Sequence, residues 1–314
     1  MCQLKSCLVL KDRVYCPDYD SHQDMLDKIG ITDDYLGASK TFVRVELTPP
    51  DGMISLIEPL DRWTLKVDQD ITPEWWDEKA DRQRVEEAVE AWRREHVFAE
   101  GEHSISAGIV YALGNAKVQA CDSATVKACG NATVTAYNSA WVKACGNATV
   151  TACNSATVYA FGSATVKAYN SAWVEAFDSA TVKACGNATV TACNSATVYA
   201  FGSATVKAYN SAWVEACDSA TVKACGNATL KAYNSAWVEA FDSATVKACG
   251  NATVKAYNSA WVEACDSATV EACGNATVKA YGNATVDAYG NATVAYPRKN
   301  KIVYPAGWTA ETHD

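Results

Sequence analysis

Several short clusters in this chain carry side chains able to do chemistry. Cys16, Asp18, Asp20 and His22 alternate, so an extended backbone would turn a thiol, two carboxylates and an imidazole to one side. That mixture suits a hydrolytic metal ion. Asp68 and Asp70 repeat the alternation in Val67-Asp68-Gln69-Asp70, and a metal site would need the two segments to meet. Turn and helix-capping roles account for Asp18, Asp20 and Asp70 equally well, because short carboxylates bond to nearby backbone N–H groups. His96, His103 and His313 have no partner at motif spacing. Removal of Met1 would expose Cys2, whose own α-amine would then serve as base for its thiol. Against this, some 100 residues of non-repetitive sequence leave little room for both a nucleophile pocket and a core. The expectation is no catalytic residue, no metal-ligand set and no cofactor. A small hydrolase using Cys2 or the Asp18, Asp20 and His22 cluster is the alternative.

Cysteine and threonine recur further along. Eleven cysteines between Cys121 and Cys273 share one slot with Tyr and Phe. Their odd number and uniform spacing argue against a disulfide framework, and the exchange with aromatic rings points to a packing slot rather than a soft-metal column. Asn131-Ala132-Thr133 and its copies fit the glycosylation pattern, but in a chain without an export signal they read as corner Asn followed by strand Thr. Thr recurs as an ice-binding ladder would. Yet Lys or Glu lies two residues from most of these Thr, and Trp replaces Thr at Trp141, Trp173, Trp213, Trp237 and Trp261. Charges hold water tightly and Trp breaks flatness, so ice or surface binding is a second alternative.

The elements that position these groups fall into two dissimilar regions. Residues 1–102 hold 13 Lys/Arg and 23 Asp/Glu, whereas residues 121–296 hold 10 Lys and 11 acids; the whole chain of 314 residues carries a net charge of −9. An acidic chain with no basic patch is not expected to bind nucleic acid. No apolar run approaches the roughly 20 residues that span a bilayer, and MCQLKSCLVLKDRVYC lacks a signal-peptide pattern. A cytoplasmic chain with no membrane partner is expected.

The first region has ordinary α+β signals. Cys7–Leu10 and Arg13–Cys16 flank Lys11-Asp12 as a hairpin. Ser21 caps a helix running to Gly30, with Met25, Leu26 and Ile29 on one face. Phe42–Leu47 alternates as a half-buried strand ending at Pro49-Pro50, and Trp63–Val67 is another. Thr72-Pro73-Glu74 opens the longest helix, to about Val97, with Trp76, Val85, Ala88, Val89 and Trp92 as its buried stripe.

From Cys121 the register is eight residues: Cys/Tyr/Phe, Gly/Asp/Asn, Asn/Ser, Ala, Thr/Trp, Val, a mostly charged position, Ala. There are 22 such octads without an insertion. Ala124, Val126 and Ala128 alternate with Thr125 and Lys127, a period of two and therefore a strand; eight is no helical repeat. Identical short strands in series stack as a parallel β-solenoid, with Val and Ala inward and Thr, Lys and Glu outward. So small an interior layer favours two close sheets and a 16-residue coil, giving eleven coils about 50 Å long. A three-sided 24-residue coil is the alternative. Cys217–Ala240 and Phe241–Ala264 form a 24-residue repeat, while Cys145–Ala184 and Cys185–Ala224 form a 40-residue one.

Octads such as Tyr137-Asn138-Ser139-Ala140-Trp141-Val142 resemble the repeats of bacterial ice-nucleation proteins over residues 121–294, in architecture only: the column of Lys127, Lys143, Glu175 and Glu215 stands where a second Thr rank would be. The first 100 residues resemble uncharacterised proteins of bacteriophages and gut bacteria, which implies no activity. The expected organisation is an acidic α+β head at 1–104, a junction and first coil at 105–120, the repeat solenoid at 121–294 and a C-terminal cap at 295–314. The expected function is non-enzymatic and structural: a rigid rod that self-associates as a homo-oligomer, with the head as the module that recognises a protein partner. The expected contact surface comprises the five Trp of the Thr slot together with Tyr137, Tyr169, Tyr209, Tyr233 and Tyr257.

Overall fold

The structure is a computed structural model that describes residues 5–32 and 41–296. The expectations for Cys2, and for nearly all of a cap at 295–314, fall outside the described residues. Two compact units divide the chain: Met1–His103 with Ile109–Lys117, and Ser104–Gly108 with Val118–Asp314.

The N-terminal unit is α+β. Its antiparallel sheet comprises β1 (Lys5–Leu10), β2 (Val14–Tyr15), β3 (Phe42–Thr48) and β4 (Thr64–Val67), ordered β2-β1-β3-β4. Helix α1 (His22–Ile29) begins where the Ser21 hydroxyl accepts from Asp24 N at 3.2 Å, and stops at Gly30, whose φ of 71° is the left-handed conformation glycine adopts without penalty. Met25 and Leu26 from α1 join Leu8, Leu10 and Phe42 in one buried cluster. Helix α2 spans Glu78–His96, not the expected start at Thr72. The Asp77 carboxylate accepts from Lys79 N and Ala80 N, while the Asp81 carboxylate accepts from Asp77 N at 3.0 Å. These reciprocal bonds outcompete the Thr72-Pro73 signal, which instead belongs to a turn closed by Trp76 N on Pro73 O. Val85, Val89 and Trp92 form the buried stripe of α2; Trp76 lies outside the helix and is only half-buried. Arg84 ties α2 to β1 by donating to Leu10 O at 2.9 Å.

The repeat unit is the parallel β-solenoid that the alternation predicts. Strands β9 (Thr125–Ala128) to β30 (Thr293–Ala295) recur every eight residues. Each pairs in parallel with the strand sixteen residues away: Thr133 with Thr149, Trp141 with Thr157. Odd-numbered strands form one sheet and even-numbered strands the other, so the coil is two-sided with 16 residues, and the 24-residue alternative does not apply. Val126, Ala128 and nearly all their equivalents are fully buried, as are the corner alanines such as Ala124. Interior side chains this small let the two sheets approach closely.

Corners lock one coil to the next. Most turns are closed as Ala140 N closes on Tyr137 O, and in each the second residue has positive φ, as in Asn138 at 57° and Gly162 at 64°. At four corners a Gly fills that place with an Asp one coil later, and the Asp accepts the glycine N–H: Gly162 N donates to Asp178 at 3.1 Å and Gly202 N to Asp218 at 3.1 Å, as Gly226 N does to Asp242 and Gly250 N to Asp266. Where an Asn follows an Asp or Asn by one coil, its amide donates back to that side chain, as Asn138 does to Asp122 at 2.8 Å and Asn154 to Asn138 at 3.2 Å.

Candidate functional sites

The alternating segment of the N-terminal unit does not gather into one ligand set. Cys16 lies opposite Cys7 across the β1–β2 hairpin, with the sulfurs 2.7 Å apart, and burial pushes the Cys7 thiol well up. Asp18 lies 2.9 Å from His96 Nε2. Asp20 takes up the buried ammonium of Lys5 at 2.7 Å. His22 turns toward the sheet, where its Nε2 lies 3.2 Å from Val45 O and its Nδ1 lies 3.5 Å from Asp68. The two segments therefore meet through His22 and Asp68. The third member of their cluster is Glu46, which sequence spacing did not single out.

On the solenoid, side chains that alternate along each strand build two solvent-facing columns per sheet. The odd sheet carries Thr125, Trp141, Thr157 and Trp173 in one column and Lys127, Lys143, Tyr159 and Glu175 in the other. The even sheet carries Thr165, Thr181, Thr197 and Trp213 beside Lys167, Lys183, Tyr199 and Glu215. The expected contact residues are thus spread over four places. Trp141, Trp173 and Trp237 lie on the odd sheet, and Trp213 and Trp261 on the even sheet. Tyr137, Tyr169 and Tyr233 stand at the corners that lead into odd strands; Tyr209 and Tyr257 stand at the corners that lead into even strands. All ten are half-buried.

Two residues missed at first belong to these faces. Tyr159 and Tyr199 are the only aromatic residues in a column that otherwise holds Lys, Glu or Thr and, at its end, Asp287 and Ala295, a break in the octad visible in the sequence. Tyr159 packs between Trp141 and Trp173, with ring centroids 5.3 and 5.5 Å away, and Tyr199 packs on Trp213 at 5.5 Å. Farther along, Lys255 and Glu271 pair at 3.2 Å.

The corner slot is a half-buried stack rather than part of the interior. Phe161 lies parallel to Phe177 at 5.0 Å, and Phe241 to Tyr257 at 4.8 Å. Eleven cysteines share the slot with these and the other aromatic residues. Desolvation, and then a hydrogen bond with Cys129, push the Cys145 thiol up to about 12; desolvation, then Cys249, push Cys265 to about 11. Such thiols stay protonated at neutral pH and are poor nucleophiles and poor metal ligands. Among the described residues Thr fills both outward positions at Thr133/Thr135, Thr149/Thr151 and Thr189/Thr191, and only the first two of these strands pair with each other. No family model, curated protein or solved structure matches the chain. No helix among the described residues is long and apolar enough to cross a membrane.

Proposed function

We propose that this chain is a non-enzymatic structural protein whose solenoid self-associates face to face, with the N-terminal unit as its recognition module for a protein partner. A solenoid repeat architecture is compatible with such a role. One observation carries the reading: each sheet displays a block that complements its own reverse.

The odd block runs Lys127, Lys143, Tyr159, Glu175. A two-fold rotation about an axis parallel to the strands turns one rod over onto another, reverses its coil direction and keeps each column facing its own copy. Lys127 then opposes Glu175, and Lys143 opposes the ring of Tyr159, a cation–π pairing. In the neighbouring column Thr125 opposes Trp173 and Trp141 opposes Thr157, so each large ring meets a small side chain. The even block gives Lys167 against Glu215 and Lys183 against Tyr199. A parallel arrangement, made by a two-fold axis along the solenoid, exchanges the two columns and sets Lys127 and Glu175 against Thr125 and Trp173, so only the antiparallel one brings opposite charges together.

The internal repeat carries Tyr159 and Glu175 onto Tyr199 and Glu215 of the other face, while Lys127 and Lys143 lie before its first copy. Forty residues are two and a half coils, so the copy of Cys145–Ala184 that runs from Cys185 to Ala224 begins on the opposite sheet. A rod with the same self-complementary block on each side binds a copy on each side. Association is then open-ended rather than stopping at a dimer. Sedimentation velocity across a range of concentrations tests this: the expected result is a mass that grows past the dimer and falls back in high salt. A strict monomer at high concentration would overturn it.

A further inference from the structure

We propose that His22, Glu46 and Asp68 hold a divalent cation through one imidazole nitrogen and two carboxylates, tying α1 to strands β3 and β4. Three elements deliver these ligands. His22 is the first residue of α1, Glu46 follows Val45 on β3, and Asp68 follows Val67 at the end of β4, with Glu46 paired to Lys66 across the sheet. Their ligand atoms all lie within 4.8 Å of one another.

The imidazole is the deciding group. Its side chain is nine-tenths buried, and Nε2 lies 3.2 Å from Val45 O. A carbonyl oxygen only accepts, so Nε2 carries the hydrogen and Nδ1 presents its lone pair to the cluster. Nδ1 faces Asp68 Oδ2 at 3.5 Å, a separation too long for a normal hydrogen bond and close to that of two ligand atoms on one cation. A backbone carbonyl fixing the far nitrogen is the usual support of a metal-bound histidine. Bonds of about 2.0–2.2 Å to a central ion need the ligand atoms drawn somewhat closer, and the half-exposed Asp68 side chain is free to supply that movement. Lys66 is the competing charge. Its exposed Nζ lies 3.5 Å from Asp68 Oδ1 and 3.9 Å from Glu46 Oε2, loosely placed against both and able to swing into solvent. One nitrogen with two carboxylate oxygens suits manganese, ferrous iron or zinc.

Manganese(II) is the probe, because a hard ion suits a site of two carboxylates and one imidazole and its free-ion resonance reports binding directly. Titrating the reduced full chain with manganese(II) should remove the six-line resonance of the free ion up to one equivalent per chain. Glu46→Gln and Asp68→Asn should each weaken binding at least tenfold, whereas Glu58→Gln, at the cap that follows the 3-10 turn Gly52–Ile57 and outside the cluster, should not. Should either variant fail to fold, NMR of the wild-type chain decides: the bound ion should broaden His22 before the other three histidines. An unchanged free-ion spectrum would overturn the site, leaving His22 and Asp68 as a direct pair. Full binding retained in the folded Glu46→Gln/Asp68→Asn chain, or broadening that spares His22, would overturn it too.

Discussion

The N-terminal unit and the solenoid solve the same packing problem in opposite ways. In the first, each large side chain has one place: Trp63 is 1% exposed, Arg82 donates to its carbonyl at 2.8 Å, and Arg84 joins α2 to β1. In the second, a Val and an Ala from each strand fill the interior at every level, and the stabilising contacts repeat with the coil. The difference shows where each unit keeps its individuality. A repeat with a uniform interior can vary only its corners and faces, so its information lies there. A unit without repeats spends its distinctive residues on its own core.

The largest expected effect follows directly. Trp63→Ala should cost about 3–5 kcal/mol, since it empties a large filled site with no copy elsewhere. Val190→Ala in the solenoid removes much less buried volume and should cost about 1–2 kcal/mol. Urea denaturation with separate probes for the two units measures both, and equal costs would break the contrast.

Alkaline pH should weaken the solenoid. Unfolded thiols lose their protons near pH 9, whereas folded Cys145 keeps its proton up to about pH 12. The unfolded chain therefore binds fewer protons in that window, and stability, fully present below pH 9, falls as pH rises toward 12. Cys145→Ala should flatten part of that fall in a thermal-melt series from pH 8 to 11. An unchanged slope would show that the thiol is not desolvated.

A smaller effect tests the corners. Asp178→Ala frees the N–H of Gly162 and should cost about 0.5–1.5 kcal/mol, the range of one hydrogen bond. Asn170→Ala, which breaks the weaker bond to Asn154 at 3.2 Å, should cost less.

Much of this was legible in the sequence. Period two within period eight gave strands, inward Val and Ala, and the solenoid. Coil length stayed open between 16 and 24 because the octads are chemically alike and the internal duplications, 24 and 40 residues, are half-integral in coils. The deciding signal was in the corners: Asp178, Asp218, Asp242 and Asp266 each stand sixteen residues after a Gly, and Asn138, Asn154 and Asn170 sixteen after Asp or Asn. An acceptor-only carboxylate suits an open glycine N–H, while an amide can donate to the side chain before it. In the N-terminal unit, the hairpin and the capping of α1 are local and were readable. Glu46 was not, because only the pairing of β3 with β4 brings it to His22 and Asp68.

Face-to-face pairing is tested most directly by exchanging its charges. Glu175→Lys with Glu215→Lys would set Lys against Lys on both faces and should return the chain to monomer in sedimentation velocity. Adding Lys127→Glu and Lys167→Glu restores opposite charges within the same antiparallel geometry, so association should recover. Loss of association in the double variant followed by recovery in the quadruple variant is the predicted result. Association unaffected by the first exchange, or not recovered by the second, would contradict antiparallel pairing through these blocks.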